Sequence, residues 1–289
     1  MRTLRAGITQ WHATRDVAAN LGIACQMIAD CAADGAEIVL LPENGLMLGT
    51  NAEMRAAALR LGGPEVGRLR AAAKAAAATV VLGGAKCVGD DGVVRNTAIV
   101  IGPDGKYAGG YDKIHLFDAR VGGQSFEASS VERAGFQPTL LDLGGTRIGL
   151  TICYDVRFPE LYRRLALAGA EVFLVPSAFT RVTGRAHWET LLRARAIENA
   201  ACVLASATVG DDPSDAFPTY GHALAVGPWG EVLVDLGDEP LAFAVLDLDL
   251  DTVTASRERL PVLRGVRPDA YAAGPVTLSI GAIAEGAAG

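Results

Sequence analysis

Short apolar runs rich in β-branched residues recur along the chain, separated by stretches whose apolar positions return at helical spacing. The short runs predict strands over residues 5–10, 38–41, 80–86, 97–101, 146–152, 172–177, 201–208 and 222–226, with a further candidate at 241–247. Helical spacing marks residues 16–34 and an Ala-rich segment, 64–78, with a proline at its start. Segments 159–168 and 186–199 read as helices for the same reason. Asp90-Asp91-Gly92, Pro103-Asp104-Gly105 and Pro228-Trp229-Gly230 read as turns between strands. The order is βαβαβ at first and then strand pairs joined by tight turns. This is an α/β pattern that fits a stack of mixed sheets with helices outside better than a doubly wound sheet.

With 289 residues, half of them hydrophobic, the chain can bury a large core. No linker interrupts residues 1–271, so one domain is expected there. Residues 272–289, rich in Ala and Gly and nearly uncharged, are expected to form a tail or an arm that packs on a partner subunit. The net charge of −7, with acidic and basic residues interspersed, argues against nucleic acid or an anionic membrane as the main partner. Five widely spaced cysteines without a C-x-x-C pair offer neither zinc-site spacing nor a disulfide framework. With no apparent signal peptide and no long apolar run, a reducing cytoplasm is the expected setting.

Three strand ends carry reactive side chains. In Leu40-Leu41-Pro42-Glu43-Asn44 an apolar strand stops at a proline and leaves Glu43 just beyond it. Tyr111-Asp112-Lys113-Ile114-His115-Leu116-Phe117 holds Lys113. In Ile148-Gly149-Leu150-Thr151-Ile152-Cys153-Tyr154-Asp155 a strand delivers Cys153 to a turn, and Pro159 then opens a helix. A nucleophile at such an elbow is exposed at the sheet's edge beside free backbone N–H groups that can receive an oxyanion. A neighbouring cation would lower the thiol pKa. Singly, each residue has a plainer reading: Glu43 as a solvated loop residue, Lys113 as a surface charge, Cys153 as a small core residue.

Together, in this order, the segments resemble the three motifs of the nitrilase (carbon–nitrogen hydrolase) superfamily, and the likeness extends from about residue 4 to residue 271. Cys153-Tyr154-Asp155-Val156-Arg157-Phe158-Pro159-Glu160-Leu161-Tyr162-Arg163 carries most of it; Asp112 stands where a basic residue is common. The resemblance implies a four-layer α-β-β-α sandwich. It also implies Glu43 as general base, Lys113 and the Tyr154 amide as oxyanion partners, and Cys153 as the nucleophile that forms a thioester. No metal or organic cofactor is called for. A second catalytic glutamate is expected at Glu127, although Ala128 intervenes before the usual Ser and Gly135 falls one position late; Glu132 is the rival. Phe179 and Thr180 are expected at the pocket wall. Arg157 is expected either to bind a substrate carboxylate or to pair with Glu160 or Asp155, and His115, His187 and His222 to serve as structural hydrogen-bonding residues.

Ala178-Phe179-Thr180, Tyr220-Gly221-His222-Ala223 and Leu260-Pro261-Val262-Leu263 look most like the branch acting on deaminated glutathione and ω-amides. The partners implied are a small amide and water, in a homodimer or larger homo-oligomer. An N-carbamoyl hydrolase or a nitrilase is the alternative chemistry, and a catalytically silent scaffold the alternative class.

Overall fold

The computed structural model describes residues 2–279. The chain starts with β1 (Thr3–Trp11), and Asp16 then caps α1 (Val17–Ala33), its side chain accepting from the Ala19 amide at 3.0 Å. β2 (Ile38–Leu40) returns parallel to β1. A short α2 (Asn51–Ala56) and α3 (Pro64–Ala76) lead to β3 (Thr79–Val88), parallel to β2. β4 (Val94–Ile101) and β5 (Tyr107–Asp112) add antiparallel through the two Gly-containing turns that the sequence marks. A small hairpin of β6 (Asp118–Val121) and β7 (Gln124–Glu127) stands apart and runs into a 3₁₀ turn, Ala128–Ser130.

β8 (Thr139–Leu143) and β9 (Thr146–Leu150) begin a second sheet. A 3₁₀ turn, Cys153–Arg157, and α4 (Pro159–Leu167) carry the chain to β10 (Val172–Leu174). α5 (Arg181–Asn199) then leads to β11 (Cys202–Ala205), parallel to β10. β12 (Ala207–Gly210) and β13 (Thr219–Tyr220) rejoin the first sheet, whereas β14 (Leu224–Val226) and β15 (Val232–Asp235) complete the second. β16 (Leu241–Asp249) pairs with β1 from end to end, and α6 (Leu250–Arg259) and α7 (Pro268–Tyr271) follow. The result is an eight-stranded and a six-stranded mixed sheet.

β2 shows why the layers stack as they do. Ile38 and Leu40 belong to the core shared with the second sheet, and Val39 and Leu41 to the core shared with α1 and α3. A strand buried on both faces reads as an unbroken apolar run, because alternate side chains enter different cores. α4 and α5 cover the outer face of the second sheet, with Leu165, Trp188 and Leu192 in the same core as Phe173. The architecture is therefore the four-layer α-β-β-α sandwich that the resemblance implies.

Three departures from the sequence reading have local causes. The run 201–208 is two strands in different sheets, broken at Ser206. There the hydroxyl accepts from the Thr9 amide (3.0 Å) and donates to the Leu40 carbonyl (2.8 Å), replacing ladder bonds where the chain crosses between sheets. α5 starts at Arg181 rather than 186, because Thr180 caps it and Gly184 is a packing glycine: a Cβ there would lie 2.3 Å from the Tyr220 ring. β9 and β10 end at residues 150 and 174, and the loops beyond them, not the strands, form the site. β5, β8, β15, the β6–β7 hairpin, α2 and α6 are the main elements the pattern does not announce. Residues 272–279 are exposed and carry no helix or strand; the rest of the expected tail or arm lies outside the described residues.

Candidate active site

The Glu, Lys and Cys segments converge at one end of the sheet stack. Beyond β2 the Leu41 amide donates to the Val81 carbonyl (2.9 Å), and Asn44, at φ 54°, donates to the Gly84 carbonyl (2.7 Å). The loop passes so close over β3 that a Cβ on Gly83 would stand 1.9 Å from the Leu41 oxygen, so only glycine fits. This fixes Glu43, which is 3% exposed. Its Oε1 accepts from Lys113 Nζ at 2.7 Å and Asn96 Nδ2 at 2.9 Å, and its Oε2 accepts from the Ala178 amide at 3.0 Å.

Cys153 sits at φ 47°, in the left-handed region that a non-glycine residue enters at a cost. Its amide donates to the Pro176 carbonyl (2.9 Å), and the 3₁₀ turn then continues with Tyr154. Asp155, fully buried, holds the elbow in shape. It accepts from the Ile152 amide (2.9 Å) and the Tyr111 hydroxyl (2.8 Å), and from the amide (3.1 Å) and Nδ1 (2.7 Å) of His115. One carboxylate thus binds the Cys segment to the Lys segment on both sides of Lys113. His115 also stacks on Phe158 (3.6 Å between centroids, 6° between planes), which gives it the structural role expected of it. From below, Arg195 of α5 donates to the Val156 carbonyl at 2.8 Å.

The electrostatics follow from this burial. Desolvation pushes the Glu43 carboxyl up, but the Lys113 ammonium, with smaller help from Lys86 and the Cys153 thiol, outweighs it and holds Glu43 below the usual carboxylate range. Desolvation pulls Lys113 down, while Glu43, Cys153 and Glu132 pull it up and prevail, so it stays charged. Burial and the Glu43 charge push the Cys153 thiol to about 12 despite Lys113. Cys153 therefore rests as a neutral thiol. The lysine lowers the thiol pKa as expected of a neighbouring cation, but burial and the facing carboxylate outweigh it.

These residues form the floor of a cleft with an empty volume of about 590 Å³. Its walls are aromatic, with Phe117, Phe126, Tyr154, Phe179 and Phe217, and Thr180 stands at the start of α5. The expected second glutamate needs correcting. Glu127 is exposed, outside the cleft, with Oε1 3.3 Å from the Ser125 hydroxyl. Glu132, 3% exposed, lines the cleft and pairs with Lys86. The cause is the 3₁₀ turn Ala128–Ser130, which leaves Ala128 against the cleft and turns the next inward carboxylate to position 132.

Of the two readings of Arg157, the pairing with Glu160 or Asp155 is not formed. Asp155 is occupied by the four donors above, and among the described residues no carboxylate pairs with Arg157. Its guanidinium lies over the rings of Phe179 (5.1 Å) and Tyr154 (5.8 Å), and Nη1 donates to His187 Nδ1 at 3.3 Å. Asn96, Asp155 and Lys86 are the site residues that sequence reasoning passed over. Their signal was a polar or charged side chain within an apolar strand or elbow.

A family model described as carbon-nitrogen hydrolase matches residues 5–258. The chain is 37% identical to a deaminated glutathione amidase of Synechocystis over 91% of its length and 98% of the relative's. It is 36% identical to the omega-amidase NIT2 of Homo sapiens, over 94% of this chain and 98% of that protein. The NitFhit protein of C. elegans superposes with a TM-score of 0.85 at 34% identity; the match covers 93% of this chain and 66% of that longer one. An amidase from Nesterenkonia sp. AN1, in a mutant form carrying the acetamide moiety of fluoroacetamide on its active-site cysteine, gives a TM-score of 0.77 at 25% identity, over 93% and 95%. The chain belongs to the carbon–nitrogen hydrolase family, and it is an enzyme of the amidase type.

Proposed function

We propose that the cleft hydrolyses a small linear amide bearing a carboxylate, of the kind represented by deaminated glutathione or the ω-amide of a 2-oxo acid. The observation that carries the substrate class is Arg157, a cation at the wall above the nucleophile with no carboxylate of its own among the described residues. In this reading Cys153 Sγ attacks the amide carbon as Glu43 takes the thiol proton. The oxyanion is received by Lys113 Nζ and the Tyr154 amide at the elbow. Glu43 returns the proton to the departing nitrogen, ammonia leaves, and a thioester remains. Glu43 then draws a proton from water, which attacks the thioester and frees the acid and the thiol. Glu132, whose charge also acts on Lys113, supports that lysine, and Phe179 and Thr180 shape the wall. Both relatives' names fit this chemistry.

The test is ammonia release from deaminated glutathione, α-ketoglutaramate, carboxylate-free amides, carbamoyl amino acids and nitriles. The reading expects the two carboxylate-bearing amides to lead. Equal turnover of carboxylate-free amides would remove the role of Arg157, and no turnover of any amide would remove the substrate class.

The same reading includes a homodimer in the cytoplasm. Val182 and Ile197 are apolar residues left exposed on α5, and Trp229 is half-exposed close by. The five cysteines are unpaired, as a reducing compartment keeps them. Sedimentation at micromolar concentration decides the assembly.

A further inference from the structure

One buried charged residue in the cleft has no part in the chemistry above. Lys86 is 7% exposed and lies in β3, whose other central residues are apolar. Before Gly83, Val80 and Leu82 face the α1–α3 core and Val81 the inter-sheet core; after Gly84, Ala85 and Cys87 face the α1–α3 core. The register against β4 explains the change of phase. Leu82 pairs with Ile99 but Ala85 with Thr97, so three steps on β3 oppose two on β4. This bulge reverses the alternation and aims residue 86 into the cleft, beside its cross-strand neighbour Asn96, which donates to Glu43.

We propose that Lys86 is a positioning residue for catalysis: paired with Glu132, it balances the cleft's second carboxylate and so leaves Lys113 to Glu43 and the reacting oxygen. The proposal rests on the amidase reading for the role of Glu43. The charged and titratable groups that share the cleft are Glu43, Glu132, Lys86, Lys113, Cys153, Tyr154 and Arg157. On the floor, two carboxylates face two ammonium groups and a thiol. Glu132 and Glu43 both act on Lys113, and Lys86 acts on Glu43 as well as on its own partner. Without Lys86, two buried carboxylates compete for one cation, and the base is drawn toward its protonated, inactive form. A buried ion pair is a poor source of stability, so its place in an otherwise apolar strand beside the nucleophile fits a tuning role better than a scaffolding one.

The experiment compares Lys86→Met, Lys86→Arg, Glu132→Gln and Lys86→Met/Glu132→Gln in the full chain. Its readouts are the pH profile of kcat/KM on the best amide and the rate of Cys153 alkylation by iodoacetamide, localised by mass spectrometry. Lys86→Met is expected to move the acid limb up by about one pH unit, hence about tenfold lost activity below the limb, and to slow alkylation several-fold at fixed pH. Glu132→Gln should move the limb the other way. The double variant should return it to within about 0.3 unit of the wild type, and Lys86→Arg should hold it there. If Lys86→Met fails to fold, Glu132→Gln carries the test, and an acid limb and alkylation rate there equal to wild type would overturn the proposal. A Lys86→Met limb and alkylation rate equal to wild type, with only the melting temperature lowered, would overturn the proposal, as would a double variant displaced by a full unit. Alkylation needs no turnover, so if no amide is hydrolysed Lys86 is still judged and the amidase reading fails by itself.

Discussion

The floor and the wall of the cleft are built on different principles. On the floor, Glu43, Lys113 and Cys153 come from three separate chain segments, and each is held by backbone or buried side-chain bonds: Ala178 and Asn96 on Glu43, Pro176 on Cys153, Asp155 around the Lys segment. The wall is held by ring contacts, with Phe179 against Trp188 (4.8 Å), by Thr180 capping α5 and by the Tyr220 amide donating to the Phe179 carbonyl (2.9 Å). The floor is overdetermined, so it can keep Cys153 at a strained φ and a lysine and a glutamate out of water. The wall's rings make non-directional apolar contacts, so replacing them disturbs the floor less than replacing a buried charge. In the proposed mechanism, reaction type resides in the floor and choice of amide in the wall.

Cys153→Ala should break the floor's chemistry most completely, lowering kcat by at least about 10³-fold while moving the melting temperature little. A melting temperature that fell sharply would mean the nucleophile is also a packing residue. Lys113→Met should come next in activity, about 10²–10³-fold, with about 3–5 kcal/mol of stability lost because Glu43 is left buried and unpaired. Asp155→Asn should lower both kcat and stability, by about 2–3 kcal/mol, since it weakens four hydrogen bonds to a buried carboxylate at once. Loss of kcat with an unchanged denaturation midpoint would show that Asp155 acts on the chemistry and does not hold the segments together.

Arg157→Gln addresses the wall: KM for carboxylate-bearing amides should rise about 10–100-fold, and for a carboxylate-free amide far less. The smallest effect expected is in stability against pH. Glu43 is held below its unfolded value of 4.5 by Lys113, so its contribution is complete above that pH and is lost as the pH falls through the lower folded value. Melting curves between about pH 3 and 6 should therefore fall more steeply for the wild type than for Glu43→Gln. Lys113, raised from 10.5, contributes below that pH and loses its contribution only in strong alkali, outside this window.

The stack of mixed sheets with helices outside, the crossover helices α1, α3 and α4, and the three reactive segments were legible because each rests on a local signal: an apolar run, a cap, or a motif at a strand end. The misreadings arose where the outcome depends on what lies across a gap. Glu127 ends β7 and Glu132 follows five residues later, and only the turn at Ala128–Ser130 decides which enters the cleft. The run 201–208 has the composition of one strand, and only the Ser206 hydroxyl, bonded to β1 and β2 residues, makes it two. Lys86 looked like the end of a strand because the bulge at Gly83–Gly84 becomes visible only in the pairing with β4.

By itself the sequence determined the order of the elements, the family resemblance, and Glu43, Lys113 and Cys153 as candidates, since periodicity and motif are properties of neighbouring residues. Tertiary structure alone decided that Cys153 rests as a neutral thiol, that Asp155 ties two segments together and that Arg157 lacks a counter-ion among the described residues. It also placed Lys86 and Glu132 in the cleft. Each of these depends on burial and on charges brought together from distant positions, and the free energy of a buried charge is set by its surroundings in space and not by its neighbours in the chain.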